Sequence, residues 1–408
     1  MNQGLKNQGQ KRWALHSKGG AAPFWLLALI TFSGTLAMHL FVPALPDAAR
    51  HFGVSNAAMQ MTITVYITGL AAGQLIYGPL ADGLGRRPPL LVGLALYASA
   101  GLMAALSQDV PSLVGARLMQ SLGGCAGLVM GRVVVRDASP PEDLARNMAS
   151  LSLILMMGSG LAPTLGSVLA TFLGWRAIFG VLACLGLITF IATWFLLPET
   201  GQPTGRVRFA PMVRDYSRLL RSPLFMGFAI NGSCSTSSMY AFVVAAPFIF
   251  STQLHRPMHE AGLSMGALIV SMSLGTLLMR NFGHRVRVEH VLMGANLISL
   301  ASALTLLAVT LMGTLTVFSL MAPMLILTVA AGAASPANMT ESLGSAPPHL
   351  VGSASGLYGF LQMAVGALST VAVGLIDHPA TGVATVLTAA LLIGQGGLWI
   401  GRSRGMAC

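Results

Sequence analysis

Charge is the first thing this 408-residue chain lacks: Asp, Glu, Lys and Arg together make up 9% of it, against roughly a quarter in soluble domains. Carboxylates are scarcest. There are twelve, and each falls in a polar connection or at the end of an apolar run, so no acid lies at membrane depth. Lysine occurs only as Lys6, Lys11 and Lys18. There is no Walker A segment, no HExxH and no GxSxG, which excludes ATP-driven pumping by this chain and the common hydrolase chemistries. The four cysteines (Cys125, Cys184, Cys234, Cys408) are far apart and form no CxxC or ligand-spaced cluster. Three sit in apolar runs and read as buried, inert thiols. The His/His/Glu spacing of "HRPMHE" (255–260) is interrupted by Pro257 and reads as a loop. No metal site and no cofactor are expected.

What is present is apolar surface: 54% of the residues are hydrophobic and the mean hydropathy is +0.73. Runs of about bilayer length recur at about 24–46, 57–81, 89–107, 111–135, 148–170, 176–197, 222–250, 261–281, 288–310, 314–338, 350–376 and 380–401. These predict an all-α polytopic membrane protein with twelve transmembrane helices, spans one to twelve. The first run is too long for a signal-peptide h-region and ends in "VPALPD" without a small-x-small cleavage pattern, so it reads as an uncleaved span.

Positive residues set the topology. With the N-terminus inside, nineteen Lys and Arg fall in inside segments, three (Arg50, Arg176, Arg256) fall outside, and Arg117 lies within a span. Both termini are therefore expected in the cytoplasm. The basic balance is accounted for by topology, which leaves no reason to invoke nucleic acid. The longest polar connection follows span six. It divides the chain into a tail (1–22), a six-helix bundle (23–198), a cytoplasmic linker (199–221), a second six-helix bundle (222–401) and a short cytoplasmic tail (402–408). "GQLIYGPLADGLGRRPPLLVGLAL" from Gly73 is echoed by "GTLLMRNFGHRVRVEHVLMGANL" from Gly275. Two pseudo-symmetric halves with an internal repeat point to a transporter that binds its substrate between them, near mid-membrane.

The most specific stretch is "GPLADGLGRRPPLL" (78–91) between spans two and three. Gly83 and Gly85 are turn formers, Arg86 and Arg87 suit a headgroup layer, and Asp82 is an anion that topology does not need. The stretch resembles the G-x-L-A-D-R-x-G-R-R-x-x-L loop of the major facilitator superfamily, with Gly78, Asp82, Gly85, Arg86 and Arg87 among the matches and Gly83 in place of an arginine. The resemblance implies a gating latch. In it Asp82 faces a helix N-terminus of the other half, worth about 0.3–1 kcal/mol, and Arg86 pairs with Asp137. "RLMQSLGGCAG" in span four resembles the superfamily's R-x-x-Q-G segment at Arg117 and Gln120. "GSGLAPTLGSVL" in span five resembles its antiporter motif through Gly158, Pro163 and Gly166. With "FVPALP", "RDASPPEDLARNMA" and "SMYAFVVAAPFIF", the chain resembles the bicyclomycin/chloramphenicol-resistance group of drug:proton antiporters.

Candidate substrate and proton residues follow. Arg117 is a permanent charge inside a span and needs a partner or a wet cavity; Gln120 is one turn on. Gly123, Gly127 and Gly131 form a smooth stripe suited to helix packing. Asn231 and Tyr240 belong to a polar span seven, Tyr358 and Gln362 are an i, i+4 pair in span eleven, and Tyr66 in span two completes the set with Asp47 at the outer end of span one. His39 stands where the resembling family carries an aspartate, four residues before the first proline of "HLFVPALP". An unperturbed imidazole titrates near pH ~6.5. Three roles fit it: proton carrier, neutral substrate contact, or structural hydrogen-bonding group. The resemblance implies a monomeric, proton-coupled exporter of small amphipathic molecules in a bacterial inner membrane. A dedicated metabolite transporter or uniporter is the alternative, and a membrane-embedded enzyme the remote one.

Overall fold

A computed structural model describes residues 23–139, 141–201, 205, 209–237, 239–282, 287–347 and 350–405. Hydrocarbon offers backbone N–H and C=O groups no partner, so a crossing segment closes its hydrogen bonds within itself. Every regular element among the described residues is accordingly helical. Eleven helices are long and apolar enough to cross a bilayer. They are spans one (Phe24–Phe52), two (Asn56–Leu84), three (Arg87–Ala105), four (Val110–Ala138), six (Trp175–Leu196), seven (Pro223–Gln253), eight (Met258–Phe282), nine (Val288–Leu311), ten (Val317–Gly344), eleven (Val351–Gly374) and twelve (Pro379–Gly405). Span five (Pro141–Leu173) completes the series; its segment Gly158–Leu173 is apolar. We call the face that carries Phe24, the linker and Gly405 proximal, and the opposite face distal.

Three spans start on the distal face with side-chain caps that satisfy otherwise orphaned N–H groups. Ser55 Oγ accepts from Ala58 N–H at 3.2 Å. Asp109 Oδ1 accepts from Ser112 N–H at 2.8 Å, and hydrogen bonding from the Ser112 side chain, then from its N–H, holds the Asp109 carboxyl below its ordinary pKa. Thr316 and Ser319 cap each other reciprocally.

Several sequence expectations need correction. Span one runs past the prolines through a 3-10 turn (Val42–Ala44) to Phe52, because proline is tolerated in a helix's first turn; Asp47 therefore lies on a helix, ion-paired with Arg50. Span two continues to Leu84, so Gly83 is helical, and the turn falls on Gly85 (φ 91°). The linker is not simply a polar connection: it contains a helix, Phe209–Leu220. Pro257 stands just before the first helical residue of span eight, so Met258–Glu260 form its first turn and not a loop. No cluster of metal-ligating side chains occurs among the described residues. Cys125 and Cys234 are buried, but Cys184 is exposed with Val181, Leu187 and Ile188 on the outward side of span six.

The surface is apolar where a soluble protein's would be polar: Phe172, Phe195, Phe318 and Leu375 are largely exposed, and the interior mixes buried aliphatic and aromatic side chains with small and polar ones. Helices in lipid gain little from hydrophobic burial against one another, so they associate through close approach at small residues. A Cβ at Gly127 would strike the Ile30 carbonyl oxygen, and one at Gly123 would strike Gly93 and Tyr97. Span two meets span four at Gly69 and Gly73; in the other half span eight meets span ten at Gly275 and Gly332. The repeat in the sequence is thus a repeat of packing.

Two seams join the halves. Spans two and eleven pack together, as do spans five and eight. In the first seam Gln60 lies by Gly374, Thr64 Oγ1 is 2.7 Å from Thr370 Oγ1, and Gln74 lies against Gly359. Each hydroxyl also has an acceptor in its own helix, the Gln60 carbonyl for Thr64 and the Ala367 carbonyl for Thr370, so either can supply the proton of the bond that crosses the seam. In the second, Gly262 and Gly266 approach the carbonyl oxygens of Pro163 and Gly160. The distal extension of span one also packs against spans five and seven. Nearer the proximal ends of these two spans, Gly78 and Gly352 have open space where a Cβ would stand.

Gly127→Ala should overpack the contact between spans one and four and cost about 1–3 kcal/mol. Gly115→Ala, with nothing near its added methyl, should leave stability unchanged or slightly raised. Thermal midpoints of the purified variants in detergent check this pair.

Candidate functional site

Arg117 lies inside the first bundle, 0% exposed. Span four places it opposite span one, where Nη1 donates to the Ala37 carbonyl (3.2 Å) and to Gln120 Oε1 (2.7 Å). Three rings enclose the guanidinium: Tyr66 at 4.0 Å, Phe41 at 5.5 Å and Phe179 at 5.6 Å. Such contacts contribute about 0.5–1 kcal/mol exposed and about 2 kcal/mol or more when desolvated. Tyr66 is itself held by a 2.6 Å bond from Oη to the Gly34 carbonyl. The guanidinium does not reach the surface by snorkelling, and its Nε and Nη2 have no hydrogen-bond partner among the described residues. Arg117 therefore has three N–H groups, one on Nε and two on Nη2, for an acceptor.

His39 is 7% exposed, and its Nδ1 is buried without a partner. It lies one turn proximal to Val42–Ala44, the segment that packs against spans five, seven and eight. The span-five segment crosses beside it. Gly166 lets that helix come onto the Leu40 backbone, and Gly158 makes room for the Phe32 ring. The three residues of the antiporter-like pattern thus act through shape at the junction of spans one, five and eight, with Pro163 presenting its carbonyl to Gly262. Asp47 is two turns beyond His39, half-buried and engaged with Arg50.

In the second bundle the polar residues face one another. Asn231 Nδ2 donates to Asn338 Oδ1 (2.7 Å), and Asn296 Nδ2 donates to Asn231 Oδ1 (2.6 Å) and to Gln395 Oε1 (3.1 Å). Ser235 Oγ donates to Asn296 Oδ1 (3.1 Å). Spans seven, nine, ten and twelve each contribute one side chain or more. Sequence reasoning found Asn231 and missed Asn296, Asn338 and Gln395; the available signal was one amide in each of three otherwise apolar runs. The Tyr358 hydroxyl lies over Gly232, beside Asn338, and is buried without a partner, as is Asn338 Nδ2. Gln362 Nε2 donates to Thr236 Oγ1 (2.8 Å), and the Tyr240 ring lies against Gly366. Asn231 and Tyr358 are placed between helices of one bundle, while His39 lies near the distal contacts of the other; the structure does not bring the whole set together.

The loop between spans two and three is a separate cluster on the proximal face. Arg86 donates through Nη1 to the Ala81 carbonyl (2.6 Å) and to Asp82 Oδ1 (3.0 Å), and its Nε is 3.3 Å from Asp137 Oδ2. The Asp82 side chain is 74% exposed. Glu199, which sequence reasoning left as an ordinary span-end acid, caps span three: its carboxylate accepts from the N–H groups of Arg86 (2.7 Å) and Arg87 (3.1 Å). A side chain at Gly85 would strike that carboxylate. Gly78 has no close neighbour at its Cβ position. In the second-half copy, Arg285 lies outside the described residues.

Comparison with known proteins fits this geometry. The family model described as Major Facilitator Superfamily matches residues 27–370. The chain is 27% identical over 376 residues to the MFS-type transporter YdgK of Bacillus subtilis (strain 168), covering 91% of this chain and 93% of that one. It is 26% identical over 344 residues to a bicyclomycin resistance protein homolog of Haemophilus influenzae, covering 84% and 86%. Among solved structures, a bacterial homolog of the human lysosomal transporter Spinster, inward-facing and occupied, superposes with a TM-score of 0.72 at 14% identity, covering 94% and 96%. Helices of membrane-spanning length in two bundles and a family match over most of the chain have one reading: the protein belongs to the Major Facilitator Superfamily and is a multi-pass membrane transporter of small molecules.

Proposed function

We propose that the protein exports small amphipathic molecules from the cytoplasm in exchange for protons, by alternating access between its two halves. The observation that carries the proposal is His39: a nearly buried imidazole with an unpartnered Nδ1, beside the span-five segment and one turn from the distal contacts between halves. An ionisable group at that depth is costly unless used, and a ring that gains and loses a proton there senses which side is open. The similarity to a bicyclomycin resistance protein homolog supports drug-like cargo. The distribution of positive residues supports a cytoplasmic proximal face, and the bacterial relatives support the cytoplasmic membrane of a bacterium. Arg117 and Gln120 supply fixed donors, and the first-half loop, with Asp82, Arg86 and Asp137, acts as the gate. The protein acts as a monomer.

A second reading, transport of one metabolite without proton coupling, draws on the lack of a carboxylate at membrane depth. The two readings differ in pH dependence.

In proteoliposomes, substrate-driven proton release should vanish in His39→Ala and return in His39→Asp with an altered pH profile between about pH 5.5 and 8. Unchanged proton release in His39→Ala would favour the uncoupled reading. Arg117→Leu should abolish transport and lower the thermal midpoint, because it removes the cation held by three rings and leaves the buried Gln120 Oε1 and a gap without their partner. Arg117→Lys keeps the charge but loses the planar fork over the rings, and should transport poorly; wild-type transport in either variant would remove Arg117 from the mechanism.

A further inference from the structure

The linker helix Phe209–Leu220 has three distinct sides. One side docks on the second bundle. Leu219 is buried and Tyr216 partly buried among Phe225, Ala354 and Leu357 at the proximal ends of spans seven and eleven. A Cβ on Gly356 would stand 3.2 Å from the Tyr216 hydroxyl and 3.5 Å from the Gln74 carbonyl oxygen of span two. At about 100° per residue, Val213 and Leu220 fall within about 20° of each other, next to the docked side. Both are exposed, Val213 at 61% and Leu220 at 49%. Arg214, Arg218 and Arg221 fall together on the side beyond them and are also exposed. The i→i−4 bond from Arg221 N–H to the Ser217 carbonyl (3.3 Å) carries the helical register to Arg221. Asp215 is the one acid in the helix and lies between the docked side and Arg218, about 60° from that arginine, so the three arginines outnumber it on the exposed face.

Span seven begins at Pro223, so the helix ends at the membrane surface. An exposed apolar stripe flanked by a basic row, on a helix lying at the bilayer edge, is the pattern of an interfacial segment. We propose that this helix docks on the anionic headgroup layer of the proximal leaflet, with Val213 and Leu220 dipping into it and Arg214, Arg218 and Arg221 on lipid phosphates. Charge complementarity selects this occupant: three arginines on one face match a surface of phosphodiesters, and each basic group near such a surface adds to the attraction. Arg206 and Arg208 precede the helix in sequence and add to the same sign. Because Tyr216 stands at the meeting of spans two and eleven, lipid that holds the helix also holds that contact. The inference uses only the membrane location and does not depend on cargo or coupling.

The test is hydrogen exchange of the full chain in nanodiscs of phosphatidylcholine, with and without about 30% phosphatidylglycerol. Amides of residues 212–221 should exchange at least about fivefold more slowly with the anionic lipid, the effect of one basic group engaged. The difference should shrink at roughly 0.5 M salt, where screening is strong. It should disappear in R214Q/R218Q/R221Q, while exchange in the spans, which reports the fold, stays as in wild type. V213S/L220S should speed exchange of the segment in both lipids. Equal exchange in the two compositions with intact spans, or anionic-lipid protection that persists in the triple variant, would overturn the proposal.

Discussion

Two helices in hydrocarbon have little to gain by touching unless their backbones come close, and here glycine sets how close they come. The carbonyl of Ile30 sits where a side chain at position 127 would be, that of Leu40 where one at 166 would be, that of Val329 where one at 275 would be, and that of Met272 where one at 332 would be. These contacts hold spans one, four and five together in one half and spans eight and ten in the other. They also make the bundles stiff bodies. Rigid halves joined by narrow seams are what a rocking motion requires. Within the halves the contacts are reinforced by amide and ring interactions; between them the seams carry glycine, one threonine–threonine hydrogen bond and carbonyl approaches.

The asymmetry of polar chemistry follows from that division. The first bundle buries a cation without a carboxylate and offsets the desolvation with three aromatic faces, a carbonyl and the Gln120 oxygen. The second buries neutral amides that satisfy one another. Interhelical hydrogen bonds of this type contribute about 0.6–2 kcal/mol each in membranes, enough to fix the register of spans seven, nine, ten and twelve. Among the described residues each bundle also leaves buried groups without a hydrogen-bond partner, including Arg117 Nε and Nη2, Gln120 Nε2 and His39 Nδ1 in one and Asn338 Nδ2 and the Ser233 and Tyr358 hydroxyls in the other.

Much of this was legible in the residue order because the bilayer imposes a length and a polarity. Apolar runs with an excess of arginine on alternate connections lead directly to spans and their grouping, and "GPLADGLGRR" locates the proximal turn. Lateral neighbours were not legible: Gly127 and Gly115 look alike in sequence, yet one has a carbonyl against it and the other open space. Helix ends drifted where a polar residue can be helical at the interface, as at Asp47 and Asp82. The amide network was hidden because Asn296, Asn338 and Gln395 are solitary in their spans and acquire meaning only when four helices meet. Glu199 was hidden because an acid after a span reads as a loop residue, although its oxygens cap span three from more than a hundred residues away.

The central claim is that the distal ends of spans two and eleven meet in one state and must part in another. A Thr64→Cys/Thr370→Cys pair, in a chain whose natural cysteines are replaced by alanine, tests it most directly, because the native hydroxyls are already 2.7 Å apart. Oxidation should form the disulfide readily and stop transport, and reduction should restore it. A cross-linked protein that transports as fast as the reduced one would contradict the account.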